Sequence, residues 1–332
     1  MISKGRRCSY IVNLLFAVII WCSWLFYTYP DSWAVIQSYW QVTVTMIFGS
    51  IIAGATSEGG GAIAFPVFTK VLQISPVDAK VFSLAIQSVG MVAASIAIIM
   101  MRVRVLWRVI VWVSLGGCLG IIISSVFLSP LLAPAIIRML FTIMAISLAF
   151  TLIRLSAGFR LNHLNMPNIT TREITILLIV GVVGGVISGL VGSGIDMLCF
   201  SVLVLLFRIS ESIATPTSVI LMAINSVFGV LLHIYFFDGI NAQVQAYWLA
   251  SVPVVVVGAP LGAYFCSRMQ YLHIRYLLIA LISIELVTSL WLLDFDRTLI
   301  IFSISTLTLF LAVMISMSRA QCYARSSEQE CV

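Results

Sequence analysis

The sequence predicts an all-α polytopic membrane protein of two inverted repeats, each a re-entrant broken-helix hairpin plus three spans, with extra helices at either end. Three observations predict it. Of 332 residues, 61% are hydrophobic and only 9% are charged, with a mean hydropathy of +1.14, too little charge to coat a water-soluble fold. Apolar runs long enough to cross a bilayer, about 20 helical residues, recur along the chain. Two longer apolar segments are each interrupted by glycines. Because lipid offers the backbone no hydrogen bonds, the spans must be helical.

Eight runs read as full spans: 10–28, 79–101, 105–128, 132–155, 212–236, 243–267, 272–293 and 298–318. The first follows Lys4, Arg6 and Arg7 and ends in Trp24, Phe26, Tyr27 and Tyr29. It has the charge of a signal peptide but no small-residue cleavage site, and its aromatic end fits the membrane interface, so it is read as a retained helix. Segments 41–72 and 174–206 are too long for one simple helix and too short for two. The first is broken by Gly54-Ala55-Thr56-Ser57-Glu58-Gly59-Gly60-Gly61 and the second by Gly189-Leu190-Val191-Gly192-Ser193-Gly194-Ile195-Asp196. Each is expected to form two half-helices about a turn.

The two breaks superpose at an offset of 135 residues, which pairs Gly54 with Gly189, Gly59 with Gly194, Phe65 with Phe200 and Ser83 with Ser218. Each break precedes three spans, giving repeats over 41–155 and 174–293 within a single transmembrane domain, 1–332. Charge selects the topology. If both broken segments enter and leave on one side, then Lys4, Arg6, Arg7, Arg102, Arg104, Arg108, Arg154, Arg160, Arg172, Arg208, Arg268, Arg275, Arg319 and Arg325 share the cytoplasmic side. That is the positive-inside pattern, with both termini cytoplasmic. The second repeat is then inverted relative to the first, an arrangement common in secondary transporters.

The net charge of +6 lies between spans rather than on one soluble face, so lipid topology explains it and nucleic acid is not a partner. Seven cysteines show no CxxC and no metal-ligand spacing, so neither a metal nor a cofactor is expected. In inverted-repeat transporters, broken helices meet near the midplane and present amides to an anion. Gly59, Gly60 and Gly61 with Thr56 and Ser57, and Gly192 and Gly194 with Ser193, are the candidate binding groups. A single glycine cluster serves helix packing equally well; two related clusters, each beside a carboxylate, favour a site. Those carboxylates, Glu58 and Asp196, are assigned to coupling, since ionisable residues inside a membrane are functional by default; the competing reading is that they cap local backbone N–H groups. Ser83 and Gln87, on one helix face, and Thr217 and Ser218, on the matching helix, complete the candidate lining. Arg138 and Glu285 are expected to form a buried, purely structural pair.

The first glycine-rich segment ending in Pro66, the stretch Asp78-Ala79-Lys80 through Phe82-Ser83 to Gln87-Ser88-Val89-Gly90, and Gly-Leu-Val-Gly-Ser-Gly with Thr217-Ser218 resemble the sulfite exporter TauE/SafE family over residues 41–293. The resemblance implies a bacterial inner-membrane permease for sulfite, sulfoacetate or a similar small anion. Ser57-Glu58, Ile195-Asp196 and the N-terminal helix depart from the glycine-rich pattern and leave the substrate open. Two rivals remain. Gly192-Ser193-Gly194 is similar to the serine loop of rhomboid proteases, but Val191 stands where that loop needs glycine, which argues against an enzyme. A cation carrier with Glu58 and Asp196 as ligands is the stronger alternative.

Overall fold

The computed structural model describes residues 2–56, 67–156, 170–237, 240–267, 271–292 and 296–319. Its helices, in chain order, are α1 Ile2–Thr28, α2 Ser32–Ser38, α3 Trp40–Ala55, α4 Pro76–Met100, α5 Trp107–Ile123, α6 Pro134–Ser156, α7 Thr171–Val191, α8 Ile195–Leu205, α9 Glu211–Phe236, α10 Ala242–Cys266, α11 Tyr271–Leu292 and α12 Arg297–Arg319. Short π-helical turns cover Val67–Val71 and, as an extension of α5, Ser124–Leu128. Starts follow local chemistry: Ser75 accepts from the Asp78 amide ahead of Pro76, Asn241 accepts from Val244, and Thr170 with Glu173 forms a capping box. Among the described residues, eight helices are long and apolar enough to cross a membrane: α1, α4, α5 with its extension, α6, α7, α9, α10 and α12. The chain is therefore a multi-pass helical membrane protein.

The second broken segment differs from its sequence reading. It is not two half-helices: α7 runs 21 residues to Val191 and only α8, with 11, is a half. The reason lies in what its glycines do. Gly181, Gly185 and Gly189 press α7 against α5, at Gly116–Gly117 and then at Ile121 and Ser124, so closely that a Cβ would strike α5. They hold the helix in place rather than break it. The break comes one residue after Val191, at Gly192, whose φ of +93° is left-handed. α11 is also full length, 22 residues, with its apolar stretch at Ile282–Trp291.

Contact registers fix the helix directions. Gly116 faces Leu178 and Gly120 faces Val186, so α5 and α7 run parallel. Thr43 bonds to Ala250, and Gly54 packs on Ala259, so α3 and α10 are parallel too. Trp248 donates to Ala85 and Gly90 meets Val255, making α4 parallel to α10. Leu106 donates to Thr217 and Asn225 to Ser114, making α9 parallel to α5. Trp21 and Trp24 donate to Pro253 and Leu249, so α1 opposes α10.

These registers, with Thr151 near the end of α6 bonded to Met314 of α12, gather the start of α1, the end of α4 at Arg102, the start of α5 at Arg108, Arg208 and the end of α12 at Arg319 at one end of the bundle, the arginine end. Asp31, Asp78, Asn241 and Asp296 lie at the opposite end, with the exposed Tyr27, Tyr29 and Trp33. The core between the ends is apolar and continuous across both halves, while α1 and α12 are mostly uncovered and face outward.

Candidate functional site

The polar interior centres on the second break. From Gly192 to Asp196 every residue is buried. Gly194, at φ +140°, is the second left-handed position; a Cβ on it would stand 2.7 Å from both Ile187 Cγ2 and Met144 Sδ. Met144 lies midway along α6, so the break sits well inside the bundle. α8 then returns towards the arginine end, where Thr151 donates to Ser201 at 3.4 Å.

The break is held from the other half of the chain. Gln87 Nε2 donates to the Gly192 carbonyl at 2.9 Å and to Ser83 Oγ at 2.7 Å, and Ser83 Oγ itself donates to the same carbonyl at 3.1 Å. Ser83 and Gln87, one turn apart on α4, thus join Gly192. Within the break, Asp196 Oδ1 accepts from the amides of Gly194 and Met197, both at 3.0 Å. Ser188 Oγ accepts from Ile195 N at 2.9 Å, and Gly192 N donates to the Ser188 carbonyl. Two of the amides considered for an anion, those of Gly192 and Gly194, are therefore already bonded within the hairpin, as is that of Ile195. Asp196 acts as a cap through one oxygen only.

What remains open are side-chain atoms. Among the described residues Gln87 Oε1, Ser193 Oγ, Asp196 Oδ2 and Asn225 Oδ1 are buried without a hydrogen-bond partner. Buried polar atoms are normally satisfied, because leaving one unmade costs about 1–3 kcal/mol. Four such atoms gather around this one break. Asn225 belongs to it by contact: a Cβ on Gly117 would meet both its amide and the Ile195 side chain.

The other predicted lining residues are placed differently. Thr217 Oγ1 donates to Ile213 O at 2.6 Å and accepts from Leu106 N at 3.1 Å. Ser218 donates to Thr215 O. Both are buried near the arginine end, and no hydrogen bond joins them to the Gly192 break among the described residues. Thr56 is buried at the end of α3 and donates to Ile52 O at 2.8 Å. Ser57, Glu58, Gly59, Gly60 and Gly61 lie outside the described residues, as does the Glu285 side chain, and with it the expected pair with Arg138. Ser188 is the contributor that motif reading passes over, whereas Asn225 is legible as a polar residue on the helix of Thr217 and Ser218. Asn225 carries a signal, an amide in the middle of an apolar span; Ser188 carries none beyond lying seven residues before Ile195.

No group of three or more metal-ligating side chains occurs among the described residues. Neither a curated protein nor a solved structure matches the chain. One family model does match, described as Sulfite exporter TauE/SafE, over residues 42–292. That stretch takes in both broken segments, the α4 face that holds Gly192, and every helix from α3 to α11, and on it the chain belongs to the sulfite exporter TauE/SafE family.

Proposed function

We propose that the protein is a secondary permease moving a small anion, sulfite or a related sulfur-containing or organic anion such as sulfoacetate, across the bacterial inner membrane. The arginine end is cytoplasmic and carries both termini. One observation carries the reading: the buried, incompletely bonded polar seat at Gly192–Asp196, held by Ser83 and Gln87 from the other half of the chain. An interior of this kind in a family of exporters suits a transient ligand rather than a fixed structural network.

The inverted-repeat reading has its support in the registers. Gly54 packs on Ala259, and Gly189 packs on Ser124. The same 135-residue offset that relates the two glycines relates their two partners. The parallel pair α3–α10 is thus the counterpart of α7–α5, and α4–α10 of α9–α5. By that relation Ser218, with Thr217 beside it, attends the first break as Ser83 attends the second, while the counterpart of Gln87 is Met222. Two breaks approached from opposite ends suit alternating access. In this scheme Glu58 and Asp196 carry the coupling proton while Thr56, Ser57, Gly59, Gly60, Gly61, Ser193 and Gly194 surround the anion.

A cation carrier remains the second reading, favoured by one detail: Gln87 Oε1, Asp196 Oδ2 and Asn225 Oδ1, as assigned, are all acceptors. Flux in proteoliposomes separates the two. The permease reading expects accumulation of labelled sulfite or sulfoacetate with a pH gradient and no sodium requirement. Sodium flux without any anion would overturn it.

A further inference from the structure

The α4 face that holds Gly192 continues towards the opposite end of the bundle, and the next polar residue on it is a lysine. Lys80, Ser83 and Gln87 follow at i, i+3 and i+7, one side of a helix. The link is direct: a Cβ on Gly192 would lie 2.5 Å from Ser83 Cβ and 2.7 Å from the Lys80 carbonyl oxygen. Lys80 is the fifth residue of α4, about 6 Å along it at ~1.5 Å per residue. A lysine so near a helix end ordinarily snorkels its ammonium to water. This one turns inward and is 2% exposed.

Its surroundings do not balance its charge. Nζ donates to Ser129 Oγ at 2.6 Å, and among the described residues Lys80 has no ion-pair partner. The carboxylate nearest in sequence, Asp78, is held by Asn241 at 2.6 Å and Ser75 at 2.7 Å. His233, in the last turn of α9, stands level with Lys80: Gly229 packs on Leu84, and on these antiparallel helices Lys80 lies one turn before Leu84 and His233 one turn after Gly229. It is 7% exposed, and its Nε2 has no partner among the described residues. A buried ammonium with one hydroxyl for company and an unpaired imidazole nitrogen beside it is costly unless an anion completes it.

We propose that Lys80, Ser129 and His233 form an oxyanion-binding site at the outer end of the α4 track that leads to the Gly192 break. The site rests on the permease reading and gives it an outer station: on export the anion leaves the neutral groups at Gln87 and Ser193 and is charge-paired at Lys80. Ammonium, hydroxyl and imidazole N–H together match the oxygens of a sulfite, sulfonate or carboxylate. A lipid phosphate offers the same oxygens, but the inward turn of Lys80 favours a solute reaching it through the protein.

The test is thermal unfolding of the full chain in detergent, titrated with sulfite and with sulfoacetate, for wild type, Lys80→Met, Lys80→Arg and Ser129→Ala. The expected result is protection of wild type and a loss of apparent affinity of roughly 30-fold or more in Lys80→Met, the effect of removing one member of a buried charge pair. Lys80→Arg keeps most of the affinity, and Ser129→Ala loses about tenfold. Without anion, Lys80→Met unfolds at a higher temperature than wild type, because the unbalanced charge is gone. Equal protection of wild type and Lys80→Met overturns the site and leaves the permease reading standing. No protection of wild type by either anion overturns both. Failure of Lys80→Met to fold, with undiminished affinity in Ser129→Ala, makes Lys80 structural and overturns the site. Added phosphatidylglycerol that protects through Lys80 and displaces sulfite assigns the site to lipid and overturns the solute.

Discussion

The side-chain amide of Gln87 donates to the carbonyl oxygen of Gly192 at 2.9 Å, tying a spanning helix of the first half to the break of the second. Ser83 reaches the same oxygen. A carbonyl at a helix break has lost its helical donor, and in lipid no water replaces it. These two side chains therefore keep the break open and the halves together.

Gln87→Leu should remove every Nε2 contact and leave Ser83 alone on the Gly192 carbonyl. The cost is about 1–3 kcal/mol, visible as a lower unfolding temperature in detergent. Sulfite flux should fall further than stability alone explains, because the break loses its anchor. Unchanged flux in Gln87→Leu would remove Gln87 from the binding seat.

The two left-handed glycines make a second prediction. Gly192→Ala places a Cβ against Ser83 and Lys80 and forces a φ that costs an ordinary residue about 1–2 kcal/mol. Gly194→Leu adds bulk beside Ile187 and Met144. Both should insert in the membrane yet fail to transport. Ser83→Gly should partly restore Gly192→Ala, since part of the clash is with the Ser83 side chain. Full flux in both single variants would return these glycines to a packing role.

Much of this fold is legible in the sequence because lipid imposes simple rules. Span length follows from hydropathy, and the break after Val191 falls within the second glycine-rich run. The Ser83–Gln87 spacing puts both side chains on one helix face, but only the packing of the two halves sets that face against the second break. What does not show is how each glycine is used. Gly189 and Gly192 stand three apart in one motif; one is pressed against Ser124 inside a continuous helix and the other ends it. Only the neighbouring helix distinguishes them. Lys80 is hidden for a similar reason: a lysine near a span end reads as a topology signal, and its inward turn depends on Ser129, 49 residues away. Likewise the bonding of the Gly194 and Ile195 amides depends on Asp196 and Ser188 side-chain directions that no spacing encodes.

Topology gives a third prediction. Single cysteines at positions 104 and 160, in a background without the native cysteines, should react with a membrane-impermeant thiol reagent only from the cytoplasm. Cysteines at 31 and 240 should react only from outside. The parallel register of α5 and α7, with Gly116 on Leu178, puts their starts at one end, so 104 and 160, which precede them, should behave alike. Labelling of 104 from outside would invert the assignment of the arginine end.

The last prediction concerns coupling. Asp196 is fully buried; Oδ1 caps the amides of Gly194 and Met197, and Oδ2 has no partner among the described residues. The two oxygens thus have separable roles. Asp196→Asn retains an acceptor where Oδ1 stands, so the cap and the fold should survive, with a stability change within about 1 kcal/mol, one neutral hydrogen bond's worth. It removes the ability to take up and release a proton at the free oxygen. If that oxygen carries the coupling proton, Asp196→Asn should still exchange labelled anion across the membrane without a gradient, yet lose the acceleration of net flux by a pH gradient. Glu58→Gln should do the same more strongly, because Glu58 directly adjoins the Gly59–Gly61 run while Asp196 follows Gly194 by two residues. A simple cap predicts the reverse pattern: Asp196→Ala lowers stability, and Asp196→Asn leaves pH-driven flux at the wild-type level. Gradient-driven and gradient-free flux, measured side by side for the three Asp196 and Glu58 variants, therefore decide between a cap and a proton carrier.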